Sequence, residues 1–366
     1  MSRPSRPTVR TPRAATSTLP AARRRKSVHT INDVAARAGV SIKTVSRVVN
    51  REPNVREVTA QRVHRAIREL RYRPNFSARN LASSRAYLVA VLYDNPSDSY
   101  IVSVLQGVQA ACEAADYGVL LQPFDASSPR LCDQVHDMLA QRRPSGLVLT
   151  PPLCDLAPLL ATLDADGTQY VSIAPHDEDR GRPFVSVDDV RASYDLTEYL
   201  LNRGHRRIGF IKADPRHGAA SRRLSGYLEA LRRHGVGIDE RLIANGLLSF
   251  ESGVECARRL LRQADRPTAI FASNDDMAAG VLHAAHELGL RVPAELSVAG
   301  YDDVPIARYV YPSLTTVRQP IRAMATGAVQ CLLQAMRPQH GARAGGDIVH
   351  RYDYEIIIRD SVAAPP

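Results

Sequence analysis

Lys43 and Arg47 stand four residues apart in Ser41-Ile-Lys-Thr-Val-Ser-Arg-Val-Val-Asn50, so on a helix their side chains project side by side. Such a pair can donate hydrogen bonds to the O6 and N7 acceptors that guanine shows in the major groove. The same face carries Ile42, Ser46 and Asn50, with Ile42 suited to a thymine methyl. Ser41 and Thr44 fall at the start of this helix, where hydroxyls and backbone amides bind phosphate. A second group of polar residues follows apolar runs: Asp94 after Leu88–Tyr93, Asn274 after Ala269–Ala272, Asp302 after Leu296–Ala299, and Arg223 opening a helix after Ile208–Ile211. Carboxylates accept from hydroxyls, and Arg and Asn bridge two oxygens at once. This group therefore suits a small neutral ligand with adjacent hydroxyls, such as a sugar. Asn274 and Asp302 would equally serve as caps of the segments that follow them.

Catalytic chemistry finds little footing. There is no G-x-x-x-x-G-K-[ST], no H-E-x-x-H and no G-x-S-x-G. Lysine occurs only at Lys26, Lys43 and Lys212. His283 and His286 lie three apart on a helix without a Cys or carboxylate at ligand spacing, and read as surface residues. Asp188-Asp189 and Asp302-Asp303 read as cap and ligand groups rather than an acid/base pair. Cys112, Cys132, Cys154, Cys256 and Cys331 have no CxxC spacing, which points away from a disulfide framework or zinc and suits a reducing cytosol. The expectation is a protein that is no enzyme and uses no cofactor or metal.

The elements that must hold these residues are legible around them. Thr30 and Asp33 form a capping-box-like start to a helix whose apolar face is Ile31, Val34, Ala35 and Ala38, and Gly39 stops it. Ser41 caps the next, Ile42–Val49, which buries Val45, Val48 and Val49. A third helix, from Thr59, buries Val63, Ala66, Ile67 and Leu70. Two short helices around a tight glycine turn, with a third behind them, make a helix-turn-helix. Charge agrees with it. Residues 1–85 hold 20 basic and 4 acidic side chains, whereas 86–366 hold 28 and 34, out of a formal net charge of +10. One end is built to meet a polyanion.

Residues 1–27 read as a disordered basic arm; the first 26 hold eight basic groups, four prolines and no acid. The arm reads equally as a phosphate-attracting segment and as an inert tail. No run approaches the ~20 apolar residues that cross a bilayer, and no apolar segment makes the start a signal peptide. From Tyr87 onward, strand-like runs (Leu88–Tyr93, Val119–Gln122, Leu147–Thr150, Tyr170–Ile173, Ile208–Ile211, Ala269–Ala272, Leu296–Ala299) alternate with helical patterns. The helical patterns include Ser103–Ala115, Tyr194–Asn202, Arg222–His234, Ser252–Gln263 and Met277–Leu288. Alternation of this kind predicts parallel sheets covered on both faces. A break near Val187 predicts two doubly wound subdomains, with ligand bound in a cleft outside the carboxyl ends of their strands. The fold class is thus an all-α helix-turn-helix head on an α/β body of two doubly wound subdomains. Asn75–Ser83 could form one short helix, too short to stand alone in water, or an ordinary linker.

Thr30-Ile-Asn-Asp-Val-Ala-Ala-Arg-Ala-Gly-Val-Ser-Ile-Lys-Thr-Val-Ser-Arg-Val-Val-Asn50 closely resembles the DNA-binding head of the lactose/galactose-repressor family. The similarity continues in Tyr72-Arg-Pro-Asn75, Ala78-Arg-Asn-Leu81-Ala82, Ser273-Asn-Asp-Asp-Met-Ala-Ala-Gly280, Val298-Ala-Gly-Tyr-Asp-Asp303 and Pro312-Ser-Leu-Thr-Thr-Val-Arg-Gln319, about residues 28–360 in all. The resemblance implies a body similar to periplasmic sugar-binding proteins, with three crossings and helix Ile321–Met336 returning to the first subdomain. It implies that Asn75–Ser83 is a hinge helix in the minor groove, with Ala78 at the DNA and Leu81 as the wedge that opens a base step. It also implies that Arg223, Asn274 and Asp302 match ligand positions, that Gln319 lies at a hinge crossing and that Tyr100 lines the mouth. The implied boundaries are 1–27 arm, 28–73 head, 74–85 hinge, 86–187 with 318–343 first subdomain, and 188–317 with 344–360 second subdomain.

The implied function is a cytoplasmic homodimeric repressor on a pseudo-palindromic operator, controlled by a small effector; a leucine heptad of the tetramer-forming kind does not follow Ile358. Two departures leave the effector open between a sugar and a purine or nucleoside. Leu248 stands where the family often has an aromatic, with Phe250 two residues on, and Ala174 where it often has an Asp. A ligand-binding protein without regulatory DNA binding is the competing reading.

Overall fold

A computed structural model describes residues 29–49, 55–72, 87–178, 181–336 and 349–366. The basic arm, Asn50 and the 74–85 segment with Ala78 and Leu81 lie outside the described residues. The head and the body are two separate units.

In the head, α1 (Ile31–Ala38), α2 (Ile42–Val49) and α3 (Glu57–Leu70) enclose a small core in which Val34, Val45 and Val63 have no exposed surface. Burying each such Val stabilises by ~1.5–3 kcal/mol. The backbone amide of Thr30 donates to Asp33 Oδ2 at 2.7 Å and its hydroxyl to the same oxygen at 2.9 Å, closing the first turn of α1. Gly39 ends α1 at φ 61°, a conformation that costs glycine nothing. The amide of Thr44 donates to Ser41 Oγ at 3.2 Å, so Ser41 starts α2 as the sequence suggests. Helix α3 begins at Glu57, two residues before Thr59. Its first turn is polar, with Gln61 donating to Glu57 at 3.1 Å, and apolar spacing cannot mark it.

The body continues as β1 (Leu88–Tyr93), α4 (Asp98–Ala114), β2 (Gly118–Pro123), α5 (Leu131–Arg142), β3 (Gly146–Leu149), α6 (Ala157–Ala165), β4 (Tyr170–Ile173) and β5 (Phe184–Val187). Then come α7 (Asp189–Asn202), β6 (Ile208–Lys212), α8 (Gly218–Arg233), β7 (Ile243–Asn245), α9 (Phe250–Leu261), β8 (Ala269–Ala272), α10 (Asp275–Glu287), β9 (Ser297–Asp302), α11 (Ile306–Tyr309) and β10 (Thr315–Arg318). The chain ends with α12 (Ile321–Ala335), β11 (Val349–Tyr352) and β12 (Glu355–Ile357). One sheet has the order β11-β5-β4-β3-β1-β2, all parallel; the other has the order β12-β10-β9-β8-β6-β7, with β12 antiparallel.

Alternate residues of each strand feed opposite cores. Val89 and Val91 pack under α4 and α12, while Ala90 and Leu92 pack against α5 and α6. In the second sheet Ile270 and Ala272 face α9 and α10, while Ala269 and Phe271 face α7 and α8. Strands buried on both faces explain the unbroken apolar runs in the sequence. Helices α4 and α12 approach so closely that a Cβ on Gly107 would stand 2.2 Å from the carbonyl oxygen of Arg322.

Several boundaries differ from the sequence reading. The body helices begin four or five residues earlier at α4, α7 and α8 and two earlier at α9 and α10, their first turns each holding polar or small residues that interrupt the apolar spacing. Asp302 is therefore the last residue of β9 rather than a residue beyond it. Arg223 sits in the second turn of α8 and does not open it. The sequence reading contained no β5, β7, β10, β11 or β12, each only three or four residues long, too short to show a period. Helix α12 packs on the first sheet, and β11 joins that sheet as well, Val349 pairing with Phe184. The third crossing therefore falls between Tyr352 and Glu355, not at 344.

Candidate ligand cleft and nucleic-acid interface

In the head the exposed side of α2 carries Ile42, half exposed, with exposed Lys43 and Arg47 and partly buried Thr44 and Ser46. Tertiary contacts hold this face in place. Arg62 of α3 donates to the carbonyls of Ala38 at 2.5 Å and Gly39 at 3.3 Å, satisfying the open end of α1, and Arg37 pairs with Glu69 at 2.6 Å. The two hydrogen bonds from Thr30, backbone first, hold the Asp33 carboxyl below its usual range. The result is a small packed block that presents a cationic helix side with one aliphatic side chain.

The cleft of the body, a narrow space of about 40 Å³, is formed by residues at the carboxyl ends of both sheets. The first subdomain contributes Asn95, Ser97, Tyr100, Pro151 and Ala174. The second contributes Ala213, His217, Ala219, Ala220, Arg223, Leu248, Asn274 and Asp302, and Gln319 enters from the second crossing. Five of the six expected ligand residues are thus brought together. Asp94 is not among them: its carboxylate accepts the amide of Ala126 at 2.8 Å, and the next residue, Asn95, takes the place at the cleft.

Asp302 is buried, at φ 110°, and accepts from Gln319 Nε2 at 2.6 Å, with Arg223 Nη2 3.7 Å away. Burial pushes its carboxyl up to about 7, against the opposing pull of Arg223 and Gln319. Its neighbour Asp303 turns the other way and accepts from Arg308, Arg318 and Arg359. Burial of Asp303 opposes its charge, but Arg318 and Arg359 outweigh that and hold it below the usual range. Arg223 places its Cζ over the Tyr301 ring, 3.6 Å from the centroid, with Nε donating to Asp189 at 2.9 Å and Nη1 to the carbonyl of Ser273 at 2.5 Å. Burial disfavours the Arg223 charge, yet Asp189, Tyr301 and Asp302 more than offset it, and its proton is held more tightly than usual.

Asn274 does cap α10, its Oδ1 accepting from the Met277 amide at 3.0 Å, while its Nδ2 donates to the Leu248 carbonyl at 2.8 Å. Leu248 and Ala174, the two departures, both line the cleft and both take positive φ, 62° and 50°. Tyr100 is buried in the first turn of α4, behind the cap residue Ser97.

Sequence reasoning missed Asn95, Ser97 and His217, and it read Asp189 only as one of a cap-and-ligand pair, without its arginine partners. The signal for Asp189 was an acidic pair directly after an apolar run, Phe184–Val187; that for His217 was a polar loop after β6. Burial pushes His217 down to about 4, so it is neutral near pH 7. His283, expected to lack a carboxylate, has one in Glu287 at 3.3 Å, yet both histidines are exposed. Among the described residues no cluster could hold a metal ion, and no helix is long and apolar enough to cross a membrane.

A helix-turn-helix head joined to a two-subdomain α/β body with a polar cleft defines a DNA-binding regulator that carries a small-molecule receptor. Residues 30–75 match the family model for bacterial regulatory proteins of the lacI family, and residues 197–362 that for a periplasmic binding protein-like domain. The chain is 31% identical over 348 residues to the HTH-type transcriptional repressor CytR of Escherichia coli (strain K12), covering 94% of this chain and 99% of that one. Its fold is similar to the lac repressor dimer bound to operator and the anti-inducer ONPF (TM-score 0.72, 29% identity, 92% and 99% of the two chains). It is also similar to a transcriptional regulator CelR–cellobiose complex (TM-score 0.67, 29% identity, 91% and 99% covered). The chain belongs to the LacI family. It is a DNA-binding transcription regulator with a ligand-binding body, and not an enzyme.

Proposed function

We propose that this protein is a cytoplasmic, homodimeric repressor that holds a pseudo-palindromic operator and is switched by a small, uncharged, polyhydroxyl ligand, a sugar, in the body cleft. The observation that carries this reading is the meeting of Asp302, Arg223 and Gln319 at the junction of strand ends and crossing. An accepting carboxylate beside a planar donor and an amide is the set that adjacent hydroxyls need. Charge bookkeeping favours a neutral ligand. Arg222 and Arg223 both pair with the buried Asp189, Asp302 lies beside Arg223, and His217 is neutral near pH 7, so the cationic groups at the cleft are already engaged by carboxyl groups of the protein. Leu248 and Ala174 bring no ring to their part of the cleft wall, where Tyr100 is the aromatic side chain, and the paired acceptor and donors of Asp302, Arg223 and Gln319 favour a sugar over a purine or nucleoside.

In the head, Lys43 and Arg47 read guanine, Ile42 meets a thymine methyl, Ser46 and Asn50 complete the reading face, and Ser41 and Thr44 hold phosphate. Ala78 and Leu81 extend the contact into the minor groove. Tyr100 closes the cleft from the first subdomain, and Asn274 braces the Leu248 segment beside the ligand.

The test is Asp302→Ala. An operator duplex selected from random DNA is titrated with cellobiose, D-ribose, D-galactose and cytidine against both proteins. Asp302→Ala should leave operator affinity near normal and abolish the response, because a ligand acts only through differential affinity for two states. A variant that responds at the wild-type concentration would remove Asp302 from the site.

A further inference from the structure

Two arginines in consecutive positions of α8 share one buried carboxylate. Asp189, the first residue of α7, has no exposed surface. Its Oδ1 accepts from Arg223 Nε at 2.9 Å and from the Tyr301 hydroxyl at 3.0 Å, and its Oδ2 from Arg222 Nη2 at 3.1 Å. Neighbouring residues of a helix leave it about 100° apart, so the two guanidiniums diverge beyond their shared partner. Arg223 runs across Tyr301 into the cleft wall and brings Nη2 within 3.7 Å of Asp302. Arg222 goes to the first subdomain, where its Nη1 donates to the carbonyl of Pro175 at 2.7 Å. Pro175 directly follows the cleft residue Ala174. Beside this contact the amide of Gly218 donates to Asp155 Oδ2 at 3.0 Å, again from the second subdomain to the first.

We propose that Asp189 is a positioning residue that divides two tasks between its arginines: Arg223 is aligned to bind the ligand, and Arg222 clasps the first subdomain and closes the cleft. A ligand that draws on Arg223 draws on the carboxylate that also steadies Arg222, so occupancy and closure are joined in one buried triad. This rests on the reading of the cleft as a sugar site; the closure half does not need the ligand.

Closure is read on the full chain from the distance between spin labels at the exposed positions Asp177 and Ser225, one on each side of the cleft. Affinity is read by calorimetry with cellobiose, D-ribose, D-galactose and cytidine. Arg222→Gln should lengthen and broaden the distance, and Arg222→Lys, which keeps a charged donor, should restore it. Arg223→Gln should keep the wild-type distance and lose about tenfold or more in affinity, as expected for a lost charged hydrogen bond. Asp189→Asn should do both; if it fails to fold, the Arg222 pair decides. A wild-type distance in Arg222→Gln would overturn the clasp, and wild-type affinity in a folded Asp189→Asn would overturn the positioning role. Wild-type protein that binds none of the probes would count against the sugar reading and leave the distance measurements to judge the clasp.

Discussion

Removing a carboxylate from water makes it a weaker acid, and Asp302 shows how far a binding site can carry that. Its carboxyl is pushed from the usual 3.8 up to about 7, so between those values the folded protein holds a proton that the unfolded chain has lost. The contribution of Asp302 to stability should therefore fall as pH rises from about 4 to about 7, against an opposing rise from His217, which burial pushes down to about 4; Asp302→Asn removes the falling part, and urea unfolding of both proteins across that range isolates it as their difference. Ligand affinity should move the other way, because hydroxyls donate to the ionised form: binding strengthens as pH rises through about 7. A stability profile as steep in the Asn variant as in wild type would assign the slope to other groups. At this scale the sequence showed part of the site. Arg223, Asn274 and Asp302 stood out because polar residues after apolar runs are conspicuous. Asp189 and His217 gained their roles from partners 33 and more residues away or from burial, which their local signals, an acidic pair and a polar loop, do not reveal.

Helices with a clear apolar stripe, such as α9 and α12, were legible in the sequence, as were the largely apolar four-residue strands β4 and β8, whereas the first turns of α4, α7 and α8 and the short strands β5, β7, β10, β11 and β12 were not. Propensity and period need a window longer than such strands; these exist because neighbouring strands supply their hydrogen bonds. The N-terminus of α10 shows one element serving two ends. Asn274 caps the helix through Oδ1 and braces the Leu248 carbonyl through Nδ2. Asn274→Ala should cost the body about 1–2 kcal/mol, and Asn274→Asp, which keeps the cap but loses the donor to Leu248, should cost less. Thermal unfolding of the three proteins measures both. Equal losses in the two variants would place the whole effect on the Leu248 bond.

At the scale of the molecule, a basic head and an acidic body divide the labour that charge suggested from the start. The head supplies a helix whose exposed side carries Lys43 and Arg47, and the body supplies a cleft whose two halves are joined by three crossings, so that a ligand between them has two subdomains to bring together. The third crossing escaped the sequence reading because β11 and β12 follow each other within a few residues yet belong to different sheets. Reciprocity adds a constraint: whatever factor the ligand imposes on operator affinity, the operator must impose on ligand affinity. Arg47→Ala separates reading from mere attraction. It should weaken specific binding by ~1–3 kcal/mol and relax preference at one base pair per half-site, with random-sequence binding less affected. The most direct test of ligand-gated operator reading is selection of duplexes from random DNA by the full chain, followed by the affinity of the winning duplex with and without saturating sugar. The account predicts an inverted repeat whose affinity changes about tenfold or more on adding sugar. Selected DNA without a repeat, or an affinity that no sugar alters, would contradict it.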